Sequence, residues 1–168
     1  MNNTSDKHLH IVSFDVPYPA NYGGVIDVFF RIKALSQRGV KIHLHCFEYG
    51  REHSAYLESF CHSVTYYKRE TKVAKLFNTL PYIVCSRDSE ELRNNLLKDD
   101  YPILLEGLHC CSILTYDVFK DRNIIVRAHN VEHEYYEHLA MAEVDAKKKV
   151  YLRQEVRKLK DFESILNK

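Results

Sequence analysis

The sequence predicts an α/β protein of Rossmann-like architecture, in which helices cover both faces of a doubly wound parallel sheet. Short apolar runs alternate along the chain with segments whose apolar residues recur at helical spacing, and Gly or Pro residues separate many of them. The runs are apolar at successive positions, as expected of strands that are buried on both faces. The length of 168 residues fits a single domain over residues 1–168 with a sizeable core.

Composition and charge exclude several classes of protein. The 24 basic and 23 acidic side chains leave a formal net charge of +1, which provides no global field for nucleic acid. No stretch approaches the roughly 18 apolar residues of a membrane-spanning helix, and the polar start differs from a secretory leader. We therefore expect a cytoplasmic protein. The cysteines form no CxxC pair and mostly lie in apolar runs, which argues against a zinc ribbon or a disulfide framework: Cys46, Cys61, Cys85, Cys110 and Cys111.

The first fifty residues predict a βαβ unit. His8–Phe14 is a candidate buried strand, and the Pro-containing loop after it ends at Gly23-Gly24. Apolar residues then recur at helical spacing until Arg38-Gly39 ends the helix. Lys41–Phe47 is the second strand, and Gly39 provides a tight connection back into the sheet.

The alternation continues less regularly after residue 50. The predicted strands are His62–Tyr67, Tyr101–Glu106 and Asn123–Arg127. The predicted helices are Glu52–Phe60, Val73–Leu80, a segment around Ile113–Phe119, and a helix that Ser86 or Asp88 caps and that runs through Leu97. Pro81–Cys85 is apolar but brief, and both a strand and a buried loop remain open for it.

The last stretch, from about His133 to the end, predicts one long amphipathic helix. It contains no Gly or Pro, and its apolar stripe consists of Met141, Val144, Leu152, Val156, Leu159, Phe162 and Leu166. From Asp145 on, eight bases face four acids, so the helix is basic. An anionic membrane surface would suit that basic face, and a solvated face or a surface covered by further chain are the alternatives. We expect the chain to be cut from a longer one, and its uncovered stripe to cause self-association.

Two loops qualify as a ligand site, because ligands of open α/β sheets bind beyond the carboxyl ends of the strands. The first is Asp15–Gly24, which lacks GxGxxG but places Gly23-Gly24 at a helix start, where backbone N–H groups favour an anion. A simple turn is the alternative for the two glycines. The second is Ala128–Glu134, where polar groups directly follow an apolar strand.

Histidine patterns in the chain do not favour a metal site. His129, Glu132 and His133 match an HxxEH zinc motif, but His129 follows a strand rather than lying on a helix, and no third ligand is evident. His43 and His45 alternate along one strand, as His8 and His10 do along another, and we interpret both pairs as satisfied strand histidines. No metal is expected.

Together, four segments resemble the retaining glycosyltransferases of family four. The loop VPYPANYGG at residues 16–24 and the segment LSQRGVKI at residues 35–42 match the Pro-rich loop, GG and "L…+GH.V" at the start of that family. LLEGLH at residues 104–109 matches its strand-plus-EG stretch. RAHNVE at residues 127–132, followed by Tyr135, Tyr136, Leu139 and Ala140, matches its "R.HN.E…Y..LA" segment. The motifs are individually modest, but they span nearly the whole chain in the right order.

The resemblance implies the N-terminal, acceptor-side domain of a GT-B fold, whose C-terminal donor-binding domain is absent from this chain. It implies sugar transfer with retention from a nucleotide-sugar donor to a glycan or lipid-linked acceptor, in polysaccharide biosynthesis, with no metal cofactor. By resemblance, Gly23 and Gly24 approach the donor diphosphate and His129 lies at the reacting centre. Asn130 and Glu132 shape the pocket, and Arg127 supports the loop; Asn21 belongs to the same pocket-shaping set. Gly39-Val40 replaces the usual Gly-His of the family, a change at a position with no assigned chemical role.

Two other functions remain open at this point. A stand-alone Rossmann-like module that binds a nucleotide or phosphate would need no second domain. A GT-B sugar-nucleotide epimerase would share the fold but need more carboxylates in its cleft than Asp15 and Glu132 provide. The transferase interpretation predicts a surface groove that contains Gly23, Gly24 and His129.

Overall fold

The computed structural model describes residues 7–167, and five parallel strands form its single sheet. The strands are β1 (Lys7–Ser13), β2 (Val40–Glu48), β3 (Ser63–Lys68), β4 (Ile103–Glu106) and β5 (Ile124–Arg127). They lie in the order β3-β2-β1-β4-β5, with Ile11 of β1 paired to Leu44 on one side and Leu104 on the other. This is the doubly wound, Rossmann-like architecture that the sequence predicted, and each strand lies within two residues of its predicted bounds.

The helices are α1 (Gly23–Gln37), α2 (Tyr82–Cys85), α3 (Glu90–Leu96), α4 (Glu132–Ala142) and α5 (Ala146–Glu163). Helix α1 covers one face of the sheet, where Val28 and Ile32 pack with Ile11, Ile42 and Leu44. The opposite face is covered by α2, α3 and α5, through core residues that include Val84, Leu92, Leu96, Leu159 and Phe162. Each such fully buried aliphatic side chain contributes about 1.5–3 kcal/mol of transfer free energy.

Three of the predicted helices are short 3₁₀ segments instead. They are Ala55–Ser59 within the predicted Glu52–Phe60, Val73–Phe77 within Val73–Leu80, and Leu108–Thr115 with Asp117–Phe119 around Ile113–Phe119. Short segments of this kind often close in the tighter i→i+3 pattern.

The interpretation of Pro81–Cys85 as strand or buried loop is wrong, because this segment forms α2. Pro81 precedes the first turn, and the N–H of Tyr82 donates to Glu155 Oε2 at 2.6 Å. A residue of α5 thus accepts from the first free N–H of α2, for which the local sequence supplies no acceptor. The predicted caps of the next helix are also wrong. Ser89 is the N-cap of α3, and its side chain accepts from Leu92 N at 3.2 Å.

The long amphipathic helix of the C-terminal stretch is present as α5, but α4 is a separate helix. The two pack side by side across the connection at residues 143–145, where Asp145 caps α5 by accepting from Lys148 N at 2.9 Å. The expected continuous stripe is therefore broken. Leu159 and Phe162 are buried in the core, whereas Val144 in the connection is 95% exposed.

Because part of the stripe is buried under its own sheet, that part offers no surface to a second copy of the chain. The buried part of the stripe therefore gives no reason to expect self-association. Lys168, the last base of the predicted helix, lies outside the described residues. Within residues 7–167, no helix combines the length and the apolar character needed to cross a bilayer.

All five cysteines are unpaired thiols, and only Cys61 is partly exposed. Burial raises the pKa of the Cys111 thiol to about 12 and that of Cys46 well above its usual range. The thiols of these two residues therefore stay neutral and act as small apolar side chains, as the sequence predicted.

Candidate functional site

The site lies where the strand order reverses, between the carboxyl ends of β1 and β4. Connections leave these two neighbouring strands in opposite directions, which opens a crevice that open α/β sheets use for ligands. An open pocket of about 690 Å³ occupies this edge. It is lined by Phe14, Tyr22, Gly23, Gly24, Asp27, His109, His129, Asn130, Glu132 and Tyr135. The structure thus places Gly23, Gly24 and His129 around one groove.

The first wall of the pocket is the start of α1. Tyr22 is the N-cap in extended conformation, and no side chain among the described residues caps this end. A Cβ on Gly24 would lie 2.7 Å from Phe14 Cζ, whereas one on Gly23 would have no heavy atom within 4 Å. Gly24 therefore lets the Phe14 ring close over the helix start, and Gly23 leaves the backbone open to the pocket.

His129, on the opposite wall, is held through both ring nitrogens. Its Nε2 lies 3.2 Å from Glu106 Oε2, and its Nδ1 lies 3.1 Å from Arg127 Nη1. Since a guanidinium only donates, a ring nitrogen accepts from Arg127, whose Nη1 also lies 3.4 Å from Nε2. The two neighbours together define the orientation of the imidazole.

Beneath His129 lies a fully buried carboxylate, Glu106. Its oxygens lie 2.8 Å from Arg31 Nε and 3.5 Å from Arg127 Nη1. These contacts are ion pairs by distance but are poorly aligned, and neither oxygen accepts a well-formed hydrogen bond from residues 7–167. The charge of Glu106 is therefore balanced by the field of Arg31 and Arg127.

Arg127 connects this buried centre to α1. Its Nη2 donates to Asp27 Oδ2 at 2.7 Å, which holds the pKa of the Asp27 carboxyl below its usual range and raises the pKa of the guanidinium. Asp27 is 53% exposed at the pocket rim, so solvent weakens the pair. The expected role of Arg127 in supporting the loop stays a prediction.

Glu132 and Asn130 complete the second wall. Glu132 is buried, and desolvation raises the pKa of its carboxyl, which the Asn130 side chain partly offsets. The Glu132 N–H donates to Glu163 Oε1 at 2.6 Å, and His133 pairs with the same carboxylate. His129 and His133 thus contact different carboxylates rather than one centre, and no group of three ligand side chains suits a metal ion in the described part of the chain.

A third histidine, His109, lies deeper in the pocket. Its Nδ1 is buried without a hydrogen-bond partner within residues 7–167, and burial, followed by the charge of Arg87, lowers its pKa to about 3. Gly107 has a φ of 86°, and a Cβ there would lie 3.3 Å from both His109 Nδ1 and His129 Cδ2. Glycine at this position lets the two imidazoles approach.

Three of the residues singled out from the sequence, Asn21, Asp15 and Arg127, lie outside the pocket lining. Asn21 turns away and accepts from Arg51 Nη1 at 2.9 Å. Asp15 is buried, and its carboxylate accepts from Val16 N and the Tyr22 hydroxyl. Conversely, sequence analysis assigned no role to Asp27 or His109. Asp27 lies four residues after Gly23 and therefore on the same face of the helix, so this spacing predicts that Asp27 lies near the pocket.

The paired strand histidines are satisfied, as the sequence predicted. His8 Nδ1 lies 2.9 Å from His43 Nε2, and His10 Nδ1 lies 2.9 Å from His45 Nε2. The second pair continues to Asp99 at one end and to the Tyr67 hydroxyl at the other. These hydrogen bonds stabilise the sheet.

The chain is similar to a Klebsiella pneumoniae protein named "Uncharacterized 44.6 kDa protein in cps region", with 36% identity over 149 residues. The alignment covers 84% of this chain but 38% of that protein, so the chain spans well under half of its relative's length. No protein-family profile matches the chain. No solved structure shows a significant match to it.

Proposed function

We propose that this chain is the acceptor-side domain of a retaining glycosyltransferase that acts in polysaccharide biosynthesis. The observation that carries the proposal is the single pocket that joins the uncapped start of α1 at Gly23-Gly24 to His129 after β5. The four sequence segments that resemble family-four transferases include both walls of this pocket. The similarity to a protein of a cps region supports a role in capsular polysaccharide assembly.

The two walls suit the chemistry of sugar transfer from a nucleotide diphosphate. As the bond between the sugar C1 and the diphosphate oxygen breaks, negative charge grows on the leaving group, and the N–H groups at the start of α1 stabilise it. The acceptor oxygen forms the new bond to C1, and its proton passes to the leaving phosphate. His129, whose position is defined by Glu106 and Arg127, contacts the sugar near C1.

The domain assignment belongs to the same proposal. A donor-binding domain outside this chain would face the pocket and complete the cleft. The nucleotide-sugar and the glycan or lipid-linked acceptor would then be the substrates, and no metal is needed in the proposed transfer. The chain alone is expected to bind a nucleotide diphosphate weakly and to show no sugar transfer.

Binding of uridine and guanosine diphosphates to the 168-residue chain, followed by amide NMR, tests the proposal. We expect saturable shifts at Gly23, Gly24 and His129, and at least tenfold weaker binding for Gly24→Val, which pushes a side chain against Phe14. Unchanged amide signals of Gly24→Val outside the pocket are the control for folding. Shifts confined to another surface, or sugar transfer by the chain alone, would contradict the assignment.

A stand-alone binding module is the second candidate, because a complete pocket wall is present within one domain. It predicts full-affinity binding, in the micromolar range or tighter, by the chain alone. The epimerase alternative gains no support. The Asp15 carboxylate already accepts hydrogen bonds from Tyr22 and Val16, and Asp15 lies outside the pocket lining.

A further inference from the structure

Two arginines behind the pocket have no acidic partner. Within residues 7–166, no carboxylate oxygen lies within 4 Å of the guanidinium of Arg69 or of Arg87. Arg87 is 3% exposed, and an uncompensated charge at such depth is costly. A buried cation of this kind indicates an anion that the protein receives from outside.

Both guanidinium groups lie against the same aromatic ring, that of Tyr49. Their central carbons are 4.3 Å (Arg69) and 5.8 Å (Arg87) from the centre of this ring. Burial and the charge of Arg69 lower the pKa of Arg87 to about 10, which still leaves Arg87 charged at neutral pH. The two positive charges therefore repel each other, and an anion near both of them would relieve that repulsion.

The protein backbone holds both side chains in place. Arg87 Nε and Nη1 donate to the carbonyls of Phe14 and Ile83, each at 3.0 Å. Arg69 Nε donates to Ser86 Oγ at 3.0 Å. Arg87 is thus oriented at two of its nitrogens and Arg69 at one, while Nη2 of Arg87 and both terminal nitrogens of Arg69 donate to no residue within 7–166.

The place in the fold is the one where α/β sheets bind ligands. Tyr49 follows β2 and Arg69 follows β3, so both stand at the carboxyl edge of the sheet. Tyr49 is 57% exposed and Arg69 is partly exposed, which leaves the cluster open to solvent. Asp15 acts on Arg87 only from beyond 4 Å, and its oxygens already accept from Val16 and Tyr22.

We propose that Arg69, Arg87 and Tyr49 form a binding site for an oxyanion, the phosphate or carboxylate group of a second ligand. The fork of each guanidinium matches the oxygens of either group, and the exposed Tyr49 ring offers an apolar surface beside them. The site is separate from the pocket lining at Gly23 and His129 and stands whether or not the chain transfers sugar. If the chain has the proposed function, the oxyanion belongs to the acceptor, and only this assignment rests on that function.

Titration of the 168-residue chain with inorganic phosphate and with acetate, at constant ionic strength, tests the site. In spectra of the arginine Nε–H groups, we expect saturable shifts at Arg69 and Arg87 for at least one of the two anions. Phosphate binding alone assigns a phosphate group to the ligand, and tighter acetate binding assigns a carboxylate. Absence of saturable shifts with both anions overturns the proposal.

Arg69→Gln is the decisive variant, and Arg93→Gln is its matched control. Arg93 is also partly buried and stacks on a tyrosine, Tyr116, but its charge is already paired with Asp88. We expect anion affinity to fall at least tenfold in Arg69→Gln and to change less than twofold in Arg93→Gln. Equal losses of anion affinity in the two variants would mean that only the net charge of the protein matters, and would overturn the proposed site. Nucleotide binding should survive Arg69→Gln, which separates this test from that of the proposed function.

Discussion

At the residue scale, buried histidines make stability depend on pH. Burial, with the charge of neighbouring His10, lowers the pKa of His45 from 6.5 to about 3. Burial also lowers the pKa of His109 to about 3. Both imidazoles are therefore neutral in the folded protein at pH values where the unfolded chain already binds protons.

The free energy of unfolding should accordingly fall as pH drops from about 7 to 5. Because the folded pKa lies below the unfolded one, the stability is complete above pH 6.5 and is lost towards the folded pKa. Each of the two histidines contributes a loss of about 2 kcal/mol over this interval. Urea unfolding at both pH values measures it. His45→Gln should flatten the dependence by about a third to a half, because the partly exposed His43 also has a lowered pKa. An unchanged slope would contradict the assignment to His45.

A second residue-scale expectation concerns the buried carboxylate under the pocket. Glu106→Gln removes the charge that faces Arg31, Arg127 and His129, and should cost about 1–3 kcal/mol, since the two arginines are about one-third exposed. It should also change the surroundings of the His129 ring, which ¹⁵N NMR of the ring reports. The exposed Glu137→Gln is the control and should change neither quantity. An unaltered His129 spectrum in Glu106→Gln would show that Glu106 does not hold the ring in place.

At the scale of elements, the turn after β4 depends on a glycine. Gly107 combines φ of 86° with ψ of 159°, a region that side chains rarely adopt, and two imidazoles surround it. Gly107→Ala should lose about 2–4 kcal/mol, of which about 1–2 is backbone strain. Gly50→Ala, with φ of 78° and no neighbour within 4 Å, should lose only the strain. Equal losses by chemical denaturation would mean that the crowding by His109 and His129 costs nothing.

The start of α3 provides a test of local capping. Ser89→Ala removes the side chain that accepts from Leu92 N and should cost about 1 kcal/mol, or about 3 °C in the melting temperature. Ser59→Ala, whose hydroxyl donates to Tyr56 O on the surface, should shift the melting temperature by less than 1 °C, roughly the level of other surface substitutions. A larger shift for Ser59 than for Ser89 would contradict the assigned cap.

At the scale of the whole molecule, α5 is part of the core. Leu159 is fully buried against the sheet, so Leu159→Ala should destabilise the protein by about 2–5 kcal/mol. Val150→Ala on the exposed side of the same helix should cost less than about 0.5 kcal/mol. Thermal unfolding compares the two, and sedimentation should show both variants in the same oligomeric state as the parent. A change of oligomeric state in Leu159→Ala would show instead that the apolar stripe of α5 forms an interface between copies of the chain.

The elements that the sequence predicted well are those whose signal is contained in their own residues. Each strand coincides with a short, largely apolar run, and α1 shows helical spacing between two glycine signals. The break between α4 and α5 was missed because no Gly or Pro marks it, although Asp145 is a recognisable N-cap. Helix α2 could not be predicted from its own residues, since the acceptor for its first N–H is Glu155, which lies 73 residues away from Tyr82.

The sequence by itself determined the sheet, its cover of helices and the two loops at its carboxyl edge, because spacing along the chain encodes them. Only the tertiary structure decided which side chains meet there. Asp27 pairs with Arg127 across 100 residues, and Glu106 lies under His129 rather than in the pocket. Arg69 meets Tyr49 because neighbouring strands end side by side, and the segment after α2 brings Arg87 to the same ring. Such contacts depend on strand order and burial, which no local pattern of residues specifies.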